Sequence, residues 1–386
     1  FEVIRYPSAY TGKKIGYRVG YPFDPIVLDE LAKEKIDVIH THCPFISTVL
    51  ARVLRYYTGA PVVLTYHTKF DIDIEKRVAF NPARRVSLRF LLANINACDE
   101  VWVVSEGAGE NLRSLGYAGD YVVMENGVDL PKGRAPRESV ERLRELYGIE
   151  PEEAVFLFVG RMMWYKGQRL ILDGLKLAAE QGARFKMIFV GEGNDRTEME
   201  DCARRLGLGD RCVFAGAVRD RELLRAFYTL GDLFLFPSDY DTNGIVVREA
   251  AACSCPSLLL RGSCAAEGVT HGQNGLLIER DPAELAGQAA RVCADRDWAR
   301  KLGERAAQEL YLSWDEAVAR AYARYEALIR QGISKRDDIQ PELLLVRKAY
   351  HLRKNYQQEM RRLRKTAERT ERKVLRRVER FFQSML

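Results

Sequence analysis

Two successive alternations of strand-like and helical patterns, parted by a turn-rich stretch and followed by a basic amphipathic tail, predict an α/β chain of three parts. The first two are Rossmann-like domains whose parallel sheets face an interdomain cleft, and the third is a basic helical extension. Their bounds are residues 1–130, 131–330 and 331–386.

In the first part, residues 1–6 (Phe-Glu-Val-Ile-Arg-Tyr) read as a strand, and residues 36–40, 62–66, 100–104 and 121–124 are rich in β-branched and aromatic residues. Helical patterns over 47–57 and 86–97 lie between them, which is the order of parallel βα units covered on both faces. The turn formers of 126–136, including Asn126-Gly127, Lys132-Gly133 and Pro136, end the domain. A helix over 139–149 opens the second part. Its strands are predicted at 155–159, 186–190, 212–214, 233–236 and 257–260, and its helices at 168–181, 197–206, 220–228, 245–252, 282–295 and 298–310.

At 386 residues the chain has room for two or three cores, and 47% hydrophobic with 30% charged residues fits a soluble protein. No apolar run approaches the roughly 20 residues that span a bilayer. The eight cysteines include Cys253-Ser-Cys255, which lacks structural zinc spacing, so all are read as buried reduced thiols of a cytosolic protein. Of the net +6, residues 331–386 carry +9 and residues 1–330 carry −3. In the tail, Tyr356, Met360, Leu363, Ala367, Val374, Val378, Phe381 and Met385 form a heptad-like stripe among Arg and Lys. Such a stripe suits self-association or intramolecular packing, and equally an anionic membrane surface. Nucleic acid is disfavoured, because the basic tail carries neither a recognition motif nor an aromatic platform.

Chemistry concentrates in two stretches of the second part. In the first, Phe236-Pro-Ser-Asp-Tyr-Asp241-Thr-Asn-Gly244-Ile245-Val-Val-Arg-Glu249, a strand stops at Pro237 and a helix starts near Gly244. Free amides at such a start, with a glycine beside them, favour a phosphate. Carboxylates beside it repel phosphate and hold hydroxyls instead, so Asp241 and Glu249 point to a sugar nucleotide. In the other stretch, Phe158-Val-Gly160-Arg161-Met-Met-Trp-Tyr-Lys166-Gly, a strand ends at Gly160 and the loop presents two cations suited to a diphosphate.

Together the stretches resemble the retaining glycosyltransferases of the GT-B fold, family 4. The shared pieces are Val-Gly-Arg161 with Lys166-Gly, Pro237-Ser with Asp241-x7-Glu249-Ala, His271-Gly-Gln-Asn-Gly275 and Ser313-Trp314. The first domain adds Asp37-Val-Ile-His40-Thr-His42, Tyr66-His67-Thr68 and Glu125-Asn-Gly-Val-Asp129, so the likeness runs nearly unbroken from residue 1 to about residue 330. His40-Thr-His-Cys-Pro-Phe45 with Thr65-Tyr-His67-Thr-Lys-Phe-Asp71 is most similar to bacterial diacylglycerol glucosyltransferases.

The resemblance implies roles. Arg161 and Lys166 hold the donor diphosphate and steady the leaving charge, helped by the amides at Gly244 and Ile245. Glu249 takes the ribose, Asp241 the transferred sugar, and His67 faces that sugar across the cleft. No metal and no cofactor is expected beyond the UDP-sugar donor; Asp71-Ile-Asp73 has the spacing of a metal motif but reads as surface or acceptor side. His40 and His42 read as structural or as support for a neighbouring site residue and not as catalytic, Glu192 and Asn194 as a turn or a nucleotide contact, and His271 with Gly272 and Gly275 as a turn. The implied activity moves glucose from UDP-glucose to a lipid such as diacylglycerol, on the cytoplasmic face of the cell membrane, with Lys76-Arg77, Arg84-Arg85 and the tail toward the lipid. The alternatives are a soluble sugar or polysaccharide acceptor with GDP-mannose as donor, and an inactive sugar-nucleotide-binding protein.

Three departures from the family pattern stand out. Asp241 replaces a glutamate, within Asp-Thr-Asn-Gly instead of Glu-Thr-Phe-Gly. Ser254 replaces a glycine, which reads as a packing change. The opening βαβ unit with its glycine-rich loop is expected to be missing before Phe1.

Overall fold

The computed structural model describes residues 2–10, 18–22, 24–70 and 81–332, and in the tail residues 348, 351–352, 355–356 and 358–366. Asp71-Ile-Asp73, Lys76-Arg77 and the stripe positions from Ala367 onward lie outside the described residues.

Two parallel sheets organise the chain. The first runs β3 (Ile39–Thr41), β4 (Val62–Tyr66), β5 (Glu100–Val103) and β6 (Val122–Val123) in that spatial order. The strands of this sheet are crossed by helices, among them Ile46–Thr58 and Asn81–Asn96. β4 is buried at every position, as expected for a strand covered on both faces.

The second sheet has six strands: β7 (Ala154–Val159), β8 (Phe185–Val190), β9 (Cys212–Gly216), β10 (Leu233–Phe236), β11 (Ser257–Leu260) and β12 (Leu276–Ile278). Their spatial order is β12-β11-β10-β7-β8-β9, all parallel. The chain therefore leaves β7 toward one edge and β10 toward the other. That reversal opens a crevice at the carboxyl ends of these two neighbouring strands. Phe158 and Phe236, near those ends, stack with centroids 5.9 Å apart and tie the two strands together. Each is almost fully buried, worth about 1.5–3 kcal/mol of transfer free energy.

Several elements differ from the sequence expectation. Residues 2–7 are irregular, and the first strands are a short antiparallel pair, β1 (Ser8–Tyr10) with β2 (Arg18–Gly20). Strand-forming residue types at 1–6 are not enough without a partner edge; among the described residues the pairing here begins at the Pro7 carbonyl, which accepts the Tyr21 amide at 2.7 Å. In the first sheet the ladder starts at Ile39, not Ile36, because the Pro61 carbonyl that receives the first amide lies opposite Ile39. The helix Pro25–Leu31 and strand β12 have no counterpart among the predicted elements.

The helix Trp314–Gln331 follows the second sheet in sequence but packs on the first. It is launched by a capping box between Ser313 and Glu316. Its Leu328 is buried against Val63 and Trp102, and the Arg324 guanidinium grips the Glu100 carboxylate at 2.5–2.8 Å. Where the chain passes between the domains, the Val128 amide donates to the Leu312 carbonyl at 3.0 Å, so the outgoing and returning segments run side by side. In the tail, residues 358–366 are helical, and Tyr356, Met360 and Leu363 of the stripe are exposed. Among the described residues, no helix is long and apolar enough to cross a membrane. All eight cysteines are free thiols.

Candidate active site

The two stretches singled out in the sequence are the loops that follow β7 and β10, so strand order alone brings them together at the crevice. They touch backbone to backbone. Gly167 has φ +91°, and a Cβ there would lie 2.1 Å from the Pro237 carbonyl oxygen, so only glycine lets the loops meet. Gly244 caps the helix Ile245–Ala252 in the left-handed conformation, φ +62°. Having no side chain, it leaves the amides of this helix start to a ligand.

Lys166 and Asp241 meet directly. The Lys166 ammonium donates to both Asp241 carboxylate oxygens, at 2.6 and 2.7 Å, and the Ser238 hydroxyl donates to one of them at 2.9 Å. Lys166 is buried and Asp241 half-buried, so water screens this pair poorly. Arg161 sits on the same loop just after Gly160; its guanidinium is exposed, and its carbonyl is fixed by the Gln168 amide at 3.0 Å.

Glu249 lies one turn into the helix and is buried. Its carboxylate accepts from the Tyr228 hydroxyl at 2.9 Å and from Arg221 at 3.3 Å. Burial raises its pKa, and these two donors hold it back. Arg221 also reaches Asp129 at 3.4 Å, so the acid end of the Glu125-Asn-Gly-Val-Asp motif comes close to the Glu249 partner.

His67 follows β4 in the first domain and faces the β10 loop. Its carbonyl accepts the Thr242 hydroxyl at 2.6 Å, one residue from Asp241. Its ring nitrogen Nε2 lies 2.9 Å from His42 Nδ1, and the His40 and His42 rings are 4.2 Å apart. Burial, then the neighbouring histidines, lowers His67 to about 4 and His40 to about 3; burial lowers His42 as well. All three are neutral at neutral pH. His40 and His42 thus stand in one row with His67.

The β10 loop is bonded across the cleft at further points, none visible in the sequence. The Asn243 amide donates to the Val104 carbonyl at 2.6 Å, and the Ser105 hydroxyl to the Thr242 carbonyl at 2.5 Å. Lys69 donates to the Asp239 carbonyl at 3.3 Å. From the second domain, the Glu267 carboxylate accepts the amides of Glu106 and Gly107, at 2.8 and 2.7 Å, at the amino end of the helix Glu106–Ser114. Main-chain partners leave no signature in residue type, so pattern reading cannot find them.

Ser254 corrects one expectation. It has φ +59°, the only non-glycine residue with positive φ among the described residues. The position demands backbone handedness, which is why a glycine suits it; packing is secondary. Elsewhere, His271 accepts the Leu277 amide at 3.0 Å and forms a turn with Gly272 and Gly275, and Glu192 is paired with Arg196.

The second domain therefore gathers Gly160, Arg161, Lys166, Asp241, Gly244, Ile245 and Glu249 on the loops and helix start at one crevice, and Thr242 joins that wall to His67. Cations, free amides and carboxylates side by side can hold a diphosphate and hydroxyls of one ligand.

Both domains match known proteins. Residues 139–309 match the family described as Glycosyl transferases group 1, and residues 1–132 match Glycosyltransferase Family 4. The chain is 27% identical over 297 residues to the sulfoquinovosyl transferase SQD2 of Arabidopsis thaliana, covering 71% of this chain and 56% of that one. It is 25% identical over 266 residues to the alpha-monoglucosyldiacylglycerol synthase of Streptococcus pneumoniae, covering 66% and 59%. It thus spans little more than half the length of these two relatives. Among solved structures, Anabaena Alr3699/HepE in complex with UDP superposes with a TM-score of 0.67 at 20% identity, covering 78% of this chain and 82% of that one.

Proposed function

Because the chain belongs to the GT-B glycosyltransferases of group 1, with a family 4-type first domain, we propose that its cleft moves a hexose, glucose from UDP-glucose, to the hydroxyl of a membrane lipid such as diacylglycerol. The observation that carries the donor half is the grouping of Lys166, Asp241 and Glu249 around the amino end of the helix Ile245–Ala252. On this reading Arg161, Lys166 and the amides at Gly244 and Ile245 take the diphosphate, Glu249 the ribose and Asp241 the sugar.

The sugar–phosphate bond breaks as the acceptor oxygen bonds to the anomeric carbon from the same face. The acceptor proton passes to the departing diphosphate oxygen, which balances the step. Fixed cations and amides meet the charge growing on the leaving group in a partly dry site, where they stabilise it more than water would. The Thr242 bond to the His67 carbonyl supports a first-domain wall beside the transferred sugar. Chelator in the assay leaves the rate unchanged on this account.

Support for a lipid acceptor is the name of the streptococcal relative together with surface composition. Arg85, Val86, Arg89 and Phe90 are exposed on the helix Asn81–Asn96, cations beside apolar side chains. With the basic tail, this face fits peripheral attachment to an anionic, cytoplasmic membrane surface.

The test is a panel of nucleotide sugars offered with diacylglycerol vesicles and with soluble sugars, following UDP release and product mass. Glucosyl-diacylglycerol formed from UDP-glucose is expected. Transfer only to soluble acceptors overturns the lipid half, and no transfer with any donor overturns the whole. Loss of the tail is expected to weaken pelleting with anionic vesicles.

A further inference from the structure

His67 has two structural attachments, its carbonyl to the β10 loop and its ring to His42. The ring contact is the more informative. Two imidazole nitrogens 2.9 Å apart leave room for one proton, so one ring donates and the other accepts. This holds one edge of the His67 ring and couples the protonation of its remaining nitrogen to the tautomer of His42.

His42 is itself exposed and would make a poor clamp alone. It lies against His40, whose ring is held at both nitrogens: Nε2 lies 2.7 Å from the Thr65 hydroxyl and Nδ1 lies 2.5 Å from the Tyr325 hydroxyl. The Tyr325 ring stacks on Trp102 with centroids 5.1 Å apart, and the next residues on its helix, Arg324 and Leu328, anchor that helix to Glu100, Val63 and Trp102. A chain of contacts therefore runs from the helix Trp314–Gln331 through His40 and His42 to His67. Packing alone would accept a phenylalanine at 325 and any half-buried apolar residue at 40. A ring bonded at both nitrogens is a fixed ring.

We infer that His42 and Tyr325 are positioning residues for His67, which makes the helix Trp314–Gln331 a working part of the first domain's side of the cleft. The inference rests on the reading of His67 as the group that faces the donor sugar. His42 sets the orientation of the His67 ring, and Tyr325, through His40, keeps His42 in line.

The experiment compares His42→Ala, His42→Asn and Tyr325→Phe in the full chain, reading kcat and donor KM for transfer and the imidazole resonances of His67 by NMR. Asparagine puts an amide group where the His42 Nδ1 lies. Expected is a fall in kcat of about tenfold to a hundredfold for His42→Ala, with donor KM unchanged and the His67 resonances shifted. His42→Asn restores most of both. Tyr325→Phe keeps the stack on Trp102 and the melting temperature, shifts the His67 resonances and lowers kcat by about threefold to tenfold. The inference is overturned if His42→Ala leaves kcat and the resonances at wild-type values, or if His42→Asn is as impaired as His42→Ala. Unchanged resonances in Tyr325→Phe overturn the share of the helix. A wild-type chain that transfers nothing, with His67 resonances still shifted by His42→Ala, removes the transfer reading and leaves the coupling standing.

Discussion

The Lys166 ammonium is shared between the two carboxylate oxygens of Asp241, at 2.6 and 2.7 Å. The cation assigned to the diphosphate and the acid assigned to the sugar thus neutralise each other before a donor arrives. On the proposed reading a diphosphate draws Lys166 away, and the freed carboxylate turns to sugar hydroxyls. Asp241→Asn removes this competition. UDP is expected to bind more tightly, by about 1 kcal/mol or roughly fivefold, while sugar transfer falls. Calorimetry with UDP alongside turnover of UDP-glucose checks both; weaker UDP binding in the variant would contradict the competition.

Glu249 is buried with Tyr228 as a hydroxyl donor. Glu249→Gln keeps an acceptor for Tyr228 and loses the charge that faces Arg221. Glu249→Ala leaves the Tyr228 hydroxyl buried without its acceptor, at a cost of about 1–3 kcal/mol. Both variants are expected to lose nucleotide affinity, by about tenfold or more, and only the alanine variant to melt markedly lower. Thermal unfolding and nucleotide titration separate the two effects.

Ser254 holds a left-handed conformation at φ +59°. Relief of that strain outweighs the extra chain entropy of glycine, so Ser254→Gly is expected to stabilise the protein by about 0.5–1 kcal/mol. Denaturant unfolding measures it directly. A destabilised glycine variant would show that the serine side chain contributes more than its backbone costs.

The histidine row sets a pH dependence. His67 and His40 titrate near 4 and 3 in the folded chain against 6.5 when unfolded. Between those values the unfolded state binds more protons, so stability is fully present above pH 6.5 and declines as pH falls toward 4 and then 3. The melting temperature of His40→Gln is therefore expected to fall less steeply than that of the parent over this window. Parallel curves for the two proteins would remove His40 from the acid response.

Most of the second sheet was legible because strands β7 and β10 are continuous apolar runs and β8 is one broken only by Lys186, the pattern of strands buried on both faces. The site loops were legible because Gly160, Lys166, Gly244 and Glu249 combine turn geometry with charge at strand ends. The pairing of Lys166 with Asp241 was not, since two residues assigned to different parts of one ligand give no sign that they bind each other. Nor was the destination of the helix Trp314–Gln331: the sequence marks only Ser313-Trp314 at its start, and only the fold shows that Leu328 meets Val63. The handedness required at Ser254 was hidden for a simpler reason, that serine reports nothing about φ.

The side-by-side passage of Val128 and Leu312–Ser313 has a mechanical consequence. Two chain crossings bonded to each other at one edge act as the pin of a door. Sliding one domain over the other would break that bond; swinging about it would not. A swing that keeps this bond must strain the other contacts between the walls, Lys69 with Asp239 and Thr242 with His67 among them. The bonds of Asn243 to Val104 and of Ser105 to Thr242 would part in the same swing, so the walls separate only when several contacts yield together.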